Sequence, residues 1–164
     1  MSTRLQKITP FLWYAKEAEE AARHYTSIFP DSRIERVVAL PADSPSGPAG
    51  SVKVVDFTLF GQRFTAMSAT AGDEPFNHAV SFVVNCETQG ELDRYWNGLL
   101  EGGGKAEACG WLRDRYGVAW QITPTVLVDM MSSSDTEGGK RAAMAMMKMV
   151  KLDIAALKAA FEGK

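Results

Sequence analysis

The sequence predicts an α+β fold in which a strand-helix-strand-strand-strand module occurs twice and is followed by a helical tail. Two observations carry this reading. In each half, segments of two-residue apolar alternation surround one amphipathic segment of helical period. Tyr95 lies 70 residues after Tyr25, and Phe82 lies 70 residues after Leu12, the mark of a tandem duplication. The paired modules span 1–124, dividing at about 1–72 and 73–124, and 125–164 form a helical extension.

Taken in order, residues 8–14 read as a strand of bulky side chains, with Pro10 near its start, where proline is tolerated. Ala18, Ala21, Ala22, Tyr25, Ile28 and Phe29 recur at helical spacing opposite Glu17, Glu19, Glu20 and Arg23, and Pro30 ends that helix. A strand over 33–40 precedes a breaker-rich loop over 41–50. Residues 52–60 alternate clearly, Gly61-Gln62 turns the chain, and 63–69 return as the hairpin partner.

The order then begins again. A strand is predicted over 79–84. Thr88 and Glu91 form a capping box for a helix whose apolar face is Leu92, Tyr95, Trp96, Leu99 and Leu100. Gly102-Gly103-Gly104 stops it. Short strands follow over 105–108, 111–115 and 119–123. In the tail, Pro124 opens a short helical segment, and 134–137 offers a second capping box. Ala143, Met146, Met147 and Val150 then repeat at helical spacing, a stripe expected to be core or subunit interface. Asp153 caps a last helix over 154–161.

With 46% hydrophobic and 23% charged residues among 164, the chain has the composition of a soluble globular protein. A net charge of -2 excludes the basic footprint of nucleic-acid binding. No apolar run approaches the ~20 residues that span a membrane, and residues 1–7 lack a signal peptide's apolar core, so a cytoplasmic protein is expected. Cys86 and Cys109 are too few for a disulfide framework. Cys86 reads as a buried small hydrophobe and Cys109 as a structural thiol.

The stretch Asp114 to Thr123 holds the candidate site. Gly117 supplies a turn's backbone angle and Asp114 a side chain that bonds its own turn. Beyond it Val118, Trp120 and Ile122 alternate with Ala119, Gln121 and Thr123, which sets one amide among apolar neighbours.

Several segments resemble the PhnB-like branch of the vicinal oxygen chelate superfamily, that of glyoxalase I, bleomycin resistance proteins and extradiol dioxygenases. They are Ile8-Thr9-Pro10-Phe11-Leu12-Trp13, Ala18-Glu19-Glu20-Ala21, Ile28-Phe29-Pro30-Asp31-Ser32, Val80-Ser81-Phe82-Val83-Val84-Asn85-Cys86, the run from Cys109 to Ile122, and Lys151-Leu152-Asp153-Ile154. The resemblance implies paired modules of the glyoxalase/bleomycin resistance type, a homodimer, and a concave sheet holding a divalent metal that stabilises an enolate or oxyanion. The family's ligand positions fall at Pro10, 66–68, Ala79 and Gln121. Proline and alanine side chains cannot ligate. No formed metal site is therefore expected; Gln121 and, one residue from the fifth-strand position, His78 are its remaining candidates. Members are often labelled 3-demethylubiquinone 3-methyltransferases, but the glycine-rich strand-to-helix turn that would hold S-adenosylmethionine is missing.

If Gln121 faces the concavity, strand parity brings Ala119, Thr123, Leu12, Tyr14, Ser81 and Val83 with it, and Trp111 lies at the mouth. Trp13, Trp120 and Phe82 would then face the helices, with Arg113 and Asp114 in a solvated turn. His24 should face solvent. The expected function is binding of a small, mostly apolar organic molecule without a cofactor. A metal-dependent lyase, isomerase or dioxygenase is the alternative, and methyl transfer the third reading.

Overall fold

The computed structural model describes residues 6–69 and 74–164. The chain divides into two compact units, Met1–Glu74 and Pro75–Lys164. Each carries a strand-helix-strand-strand-strand succession with one four-stranded sheet.

In the first unit, β1 (Phe11–Tyr14), α1 (Ala18–Ile28), β2 (Arg33–Ala39), β3 (Lys53–Leu59) and β4 (Gln62–Ser68) give a sheet of order β1-β4-β3-β2. β1 runs parallel to β4, and the other pairs are antiparallel. β1 starts three residues later than predicted, after Pro10, which has no amide to offer a ladder. Helix α1 buries Ala18, Ala21, Ala22, Tyr25 and Ile28, as its period requires, against Val55, Phe57, Phe64 and Ala66. Tyr25 and Phe57 lie 6.4 Å apart between ring centres, and Phe57 stacks on Phe64 at 5.4 Å. The hairpin turn is Phe60-Gly61, both with positive φ (49° and 74°). That backbone fits two twisted strands joined by two residues, at some strain for phenylalanine. The Phe60 ring packs on Phe29 at 5.3 Å, and its amide donates to the Ser32 hydroxyl.

In the second unit, β5 (Phe82–Cys86), α2 (Gln89–Leu100), β6 (Lys105–Ala106), β7 (Trp111–Arg113) and β8 (Ala119–Pro124) give the order β5-β8-β7-β6. β5 and β8 are parallel. The predicted strand start at 79 is a turn instead, because the Asn77 side chain accepts the Ala79 amide. Thr88 caps α2 through Glu91 N, and the Glu91 carboxylate accepts from Glu87 N. Leu92, Tyr95, Trp96 and Leu99 are buried beneath it with Val84, Cys86, Leu112 and Ile122. Burial pushes the Cys86 thiol up to about 12, and the Glu91 carboxylate adds to the shift.

The tail forms α3 (Thr125–Met131), α4 (Thr136–Met146) and α5 (Ile154–Glu162) and packs within this unit. Asp135 and Asp153 cap α4 and α5, accepting from Gly138 N and Ala156 N. Cys109 N and Gly110 N donate to Met149 O and Val150 O, and the Gln89 side chain holds Leu152 O and Ile154 N. A Cβ on Gly110 would lie 2.9 Å from Ile122 O, so glycine is required where the tail crosses the sheet. The stripe from Ala143 to Val150 is not core of this chain: Met147 is 64% and Val150 51% exposed. The small residues Gly138, Gly139 and Ala142 make α4's buried face, since they let its neighbours approach closely. Among the described residues no helix is long and apolar enough to cross a membrane.

Candidate functional site

Strand β8 is the middle of the second sheet, and alternation gives it two faces. Trp120, Ile122 and Pro124 are buried toward the helices, while Gln121 and Thr123 are half-buried on the open face. The parallel register sets Val83 beside Gln121, and the antiparallel register sets Trp111 on its other side. Gln121 Nε2 donates to Ser81 Oγ at 2.9 Å. Four of the expected residues, Ser81, Val83, Trp111 and Gln121, thus form one patch, with Thr123 one step along. Ala119 shares their strand parity but is 1% exposed and offers no surface.

Leu12 and Tyr14 do not belong to an open face. Both are buried on the helix side of β1, where the Tyr14 hydroxyl meets that of Tyr25 at 3.1 Å. The parity of β1 is opposite to that expected, and Phe11 and Trp13 face outward instead. The reason is the pairing Trp13↔Met67: in β4, Met67 lies on the open face, while Ala66 and Ser68 are buried. Trp120 does face the helices, with Phe82 at 5.3 Å.

Asp114 also differs from expectation. It is 4% exposed, buried rather than solvated. Its Oδ1 accepts from Tyr116 N and Val118 N, and its Oδ2 accepts from Trp120 Nε1 at 2.9 Å. Gly117, with φ of 90°, closes the turn. The aspartate therefore fixes the height at which β8, and Gln121 with it, enters the sheet. The charged neighbour Arg113 turns outward, and its Nε donates to Glu107 Oε1 at 3.1 Å.

Glu107 was not legible as a site residue in the sequence. Its other oxygen meets His78 Nε2 at 2.6 Å, and the His78 ring lies 5.8 Å from that of Trp111. The hydrogen bond from His78, then that from Arg113, holds the Glu107 carboxyl below the usual carboxylate range. No pattern linked 78, 107 and 113, because the β6–β7 hairpin, with Glu107 N bonded to Trp111 O, is what brings them together. Trp111 Nε1 and Gln121 Oε1 have no hydrogen-bond partner among the described residues. His24, expected in solvent, is half-buried.

These residues do not fit a divalent transition metal. Such an ion needs three or more converging N, O or S ligands. Gln121 turns its amide nitrogen to Ser81, His78 commits Nε2 to Glu107, and Ala79 lies in a turn. In the first unit the Ser68 hydroxyl is held by Ala18 N and Lys16 O. No group of three His, Cys, Asp or Glu side chains converges among the described residues.

The model of the 3-demethylubiquinone-9 3-methyltransferase family matches residues 6–123. The chain belongs to this family. Its PhnB-like character is seen in a solved structure, the PhnB protein from Bacillus cereus, which is 34% identical over 73% of this chain and 99% of that one, with a TM-score of 0.64. A Pseudomonas aeruginosa protein is 23% identical over 74% and 98%, with a TM-score of 0.56. The fosfomycin resistance protein FosX from Listeria monocytogenes is 12% identical over 81% and 100%, with a TM-score of 0.54. These last two share the fold alone. The fold is the expected α+β one, a strand-helix-strand-strand-strand module in each unit followed by a helical extension. A comparison with curated proteins gives no match.

Proposed function

We propose that this family member binds a small, mostly apolar organic molecule on the open face of its second sheet, without a fully formed metal site. The observation that carries this is the patch Val83–Gln121–Trp111, where the Gln121–Ser81 bond fixes an amide whose carbonyl is unpartnered among the described residues. Val83 and the Trp111 ring supply apolar area; Gln121 Oε1 and Trp111 Nε1 supply one acceptor and one donor that fix orientation. Thr123 extends the same face. His78, Glu107 and Arg113 border it as an ion-paired rim, which can hold the Trp111 ring in place.

The test is a fragment screen followed by amide NMR of the full chain. Hits are expected to shift Val83, Gln121 and the Trp111 indole, and Gln121→Ala and Trp111→Ala should each weaken them by about tenfold, or about 1.4 kcal/mol. Hits that map elsewhere would overturn the reading. So would a stoichiometric, tightly held divalent ion in the purified protein whose content falls in Gln121→Ala; that result would favour the metal-dependent enzyme. Methyl transfer, which the family's name describes, requires binding of S-adenosylmethionine, and calorimetry with that cofactor is expected to show no heat.

A further inference from the structure

The open face of the first sheet carries a different kind of site. Its strands bring Arg36, Asp56 and Thr65 into one cross-strand row, and Arg63 lies on the same face of β4, two residues before Thr65. The β-bulge between Ile34 and Arg36 adds one residue to β2, so that Glu35 and Arg36 both reach this end of the sheet. The segment before β1 closes the near side. Gln6 accepts from Arg63 N through its side-chain oxygen and donates to Arg63 O, which extends the β4 ladder by one side chain. Between these walls lies a hollow of about 480 Å³. That volume is within the range of small-molecule sites, ~300–1,000 Å³.

The charges of the hollow do not all cancel within it. Asp56 is taken by Arg36 at 2.6 Å and by the Thr65 hydroxyl at 2.9 Å. Glu35 is taken by Arg33 at 2.8 Å. Arg63 remains: only its backbone is hydrogen-bonded, and its guanidinium has no partner among the described residues. We propose that this hollow is a second binding site, for a small organic monocarboxylate whose two oxygens are taken by the Arg63 guanidinium. A guanidinium presents parallel N–H donors that match a carboxylate in a way a lysine ammonium does not. Thr9, on the same wall, suits the uncharged part of the ligand. A dianion such as phosphate is disfavoured, because the Asp56 and Glu35 carboxylates share the wall with the one unmatched cation.

This site lies on the first unit and does not rest on the reading of the second. The experiment is an amide NMR titration of the full chain with benzoate and hexanoate, with benzyl alcohol as the neutral counterpart and inorganic phosphate as the dianion. Saturable shifts at Asp56, Arg63 and Thr65 are expected with at least one carboxylate, and weaker or no shifts with the other two probes. Arg63→Gln should weaken the carboxylate at least tenfold with an unchanged melting temperature, and Arg63→Lys should restore it only partly. The proposal is overturned if neither carboxylate gives saturable shifts there, if phosphate binds more tightly, or if Arg63→Gln binds as well as the parent.

Discussion

Helices α1 and α2 occupy the same place in their modules, yet their first turns are satisfied by different groups. In α2 the cap is local: Thr88 accepts from Glu91 N three residues on. In α1 no side chain beside the helix caps it, and Ser68, 50 residues away at the end of β4, accepts from Ala18 N instead. The hairpins reverse the pattern. β3 and β4 are joined by Phe60-Gly61, two residues of left-handed backbone, whereas β7 and β8 are joined by a longer loop wrapped on the buried Asp114 carboxylate. One architecture is thus closed twice by different chemistry. Each unit has one junction made from neighbouring residues and one that needs a buried polar side chain.

The comparison can be broken at Asp114. Asp114→Ala leaves two backbone amides and the Trp120 indole without their acceptor, and unfolding should cost about 3 kcal/mol less, or worse. Denaturant melts read the loss. Hydrogen exchange should speed along β7 and β8 while β3 and β4 stay protected; a loss under about 1 kcal/mol would mean that the loop's backbone alone holds the hairpin.

Ser68→Ala is the matching test in the first unit. The hydroxyl accepts from Ala18 N and donates to Lys16 O at 2.9 Å, so its removal orphans both. A destabilisation of about 1–2 kcal/mol is expected, with faster exchange at the start of α1. Unchanged protection at Ala18 would show that the helix start does not depend on β4.

The smallest effect concerns the open faces, where Arg36–Asp56 in one unit corresponds to His78–Glu107–Arg113 in the other. The folded Glu107 carboxyl lies below its ordinary value, so its contribution is fully present above the ordinary carboxylate range and is lost as pH falls through the folded value. Because the group is partly exposed, the contribution is below about 1 kcal/mol. The melting difference between the parent and Glu107→Gln should therefore shrink as pH falls through the carboxylate range and vanish below the folded value. A difference that grows with acid would reverse the assignment.

Much of the site was legible in chain order. The alternation from Val118 to Thr123 set Gln121 apart, and Ser81 and Val83 fell beside it because β5 carries the same alternation. Leu12 and Tyr14 were misassigned because alternation says which residues share a face but not which face turns to a helix. The 70-residue repeat itself pairs Leu12 with Phe82, and both do lie on the helix side.

By itself, then, the sequence determined the element order, the duplicated module, the caps at Thr88 and Asp153, and the turn at Gly117. Each of these depends on residues a few positions apart, where spacing fixes geometry. Tertiary structure alone decided the burial of Asp114, the Ser68 cap, the His78–Glu107–Arg113 rim and the unmatched guanidinium of Arg63. These arise from residues brought together by sheet register across tens of positions, and a charge's meaning depends on which partners that register supplies.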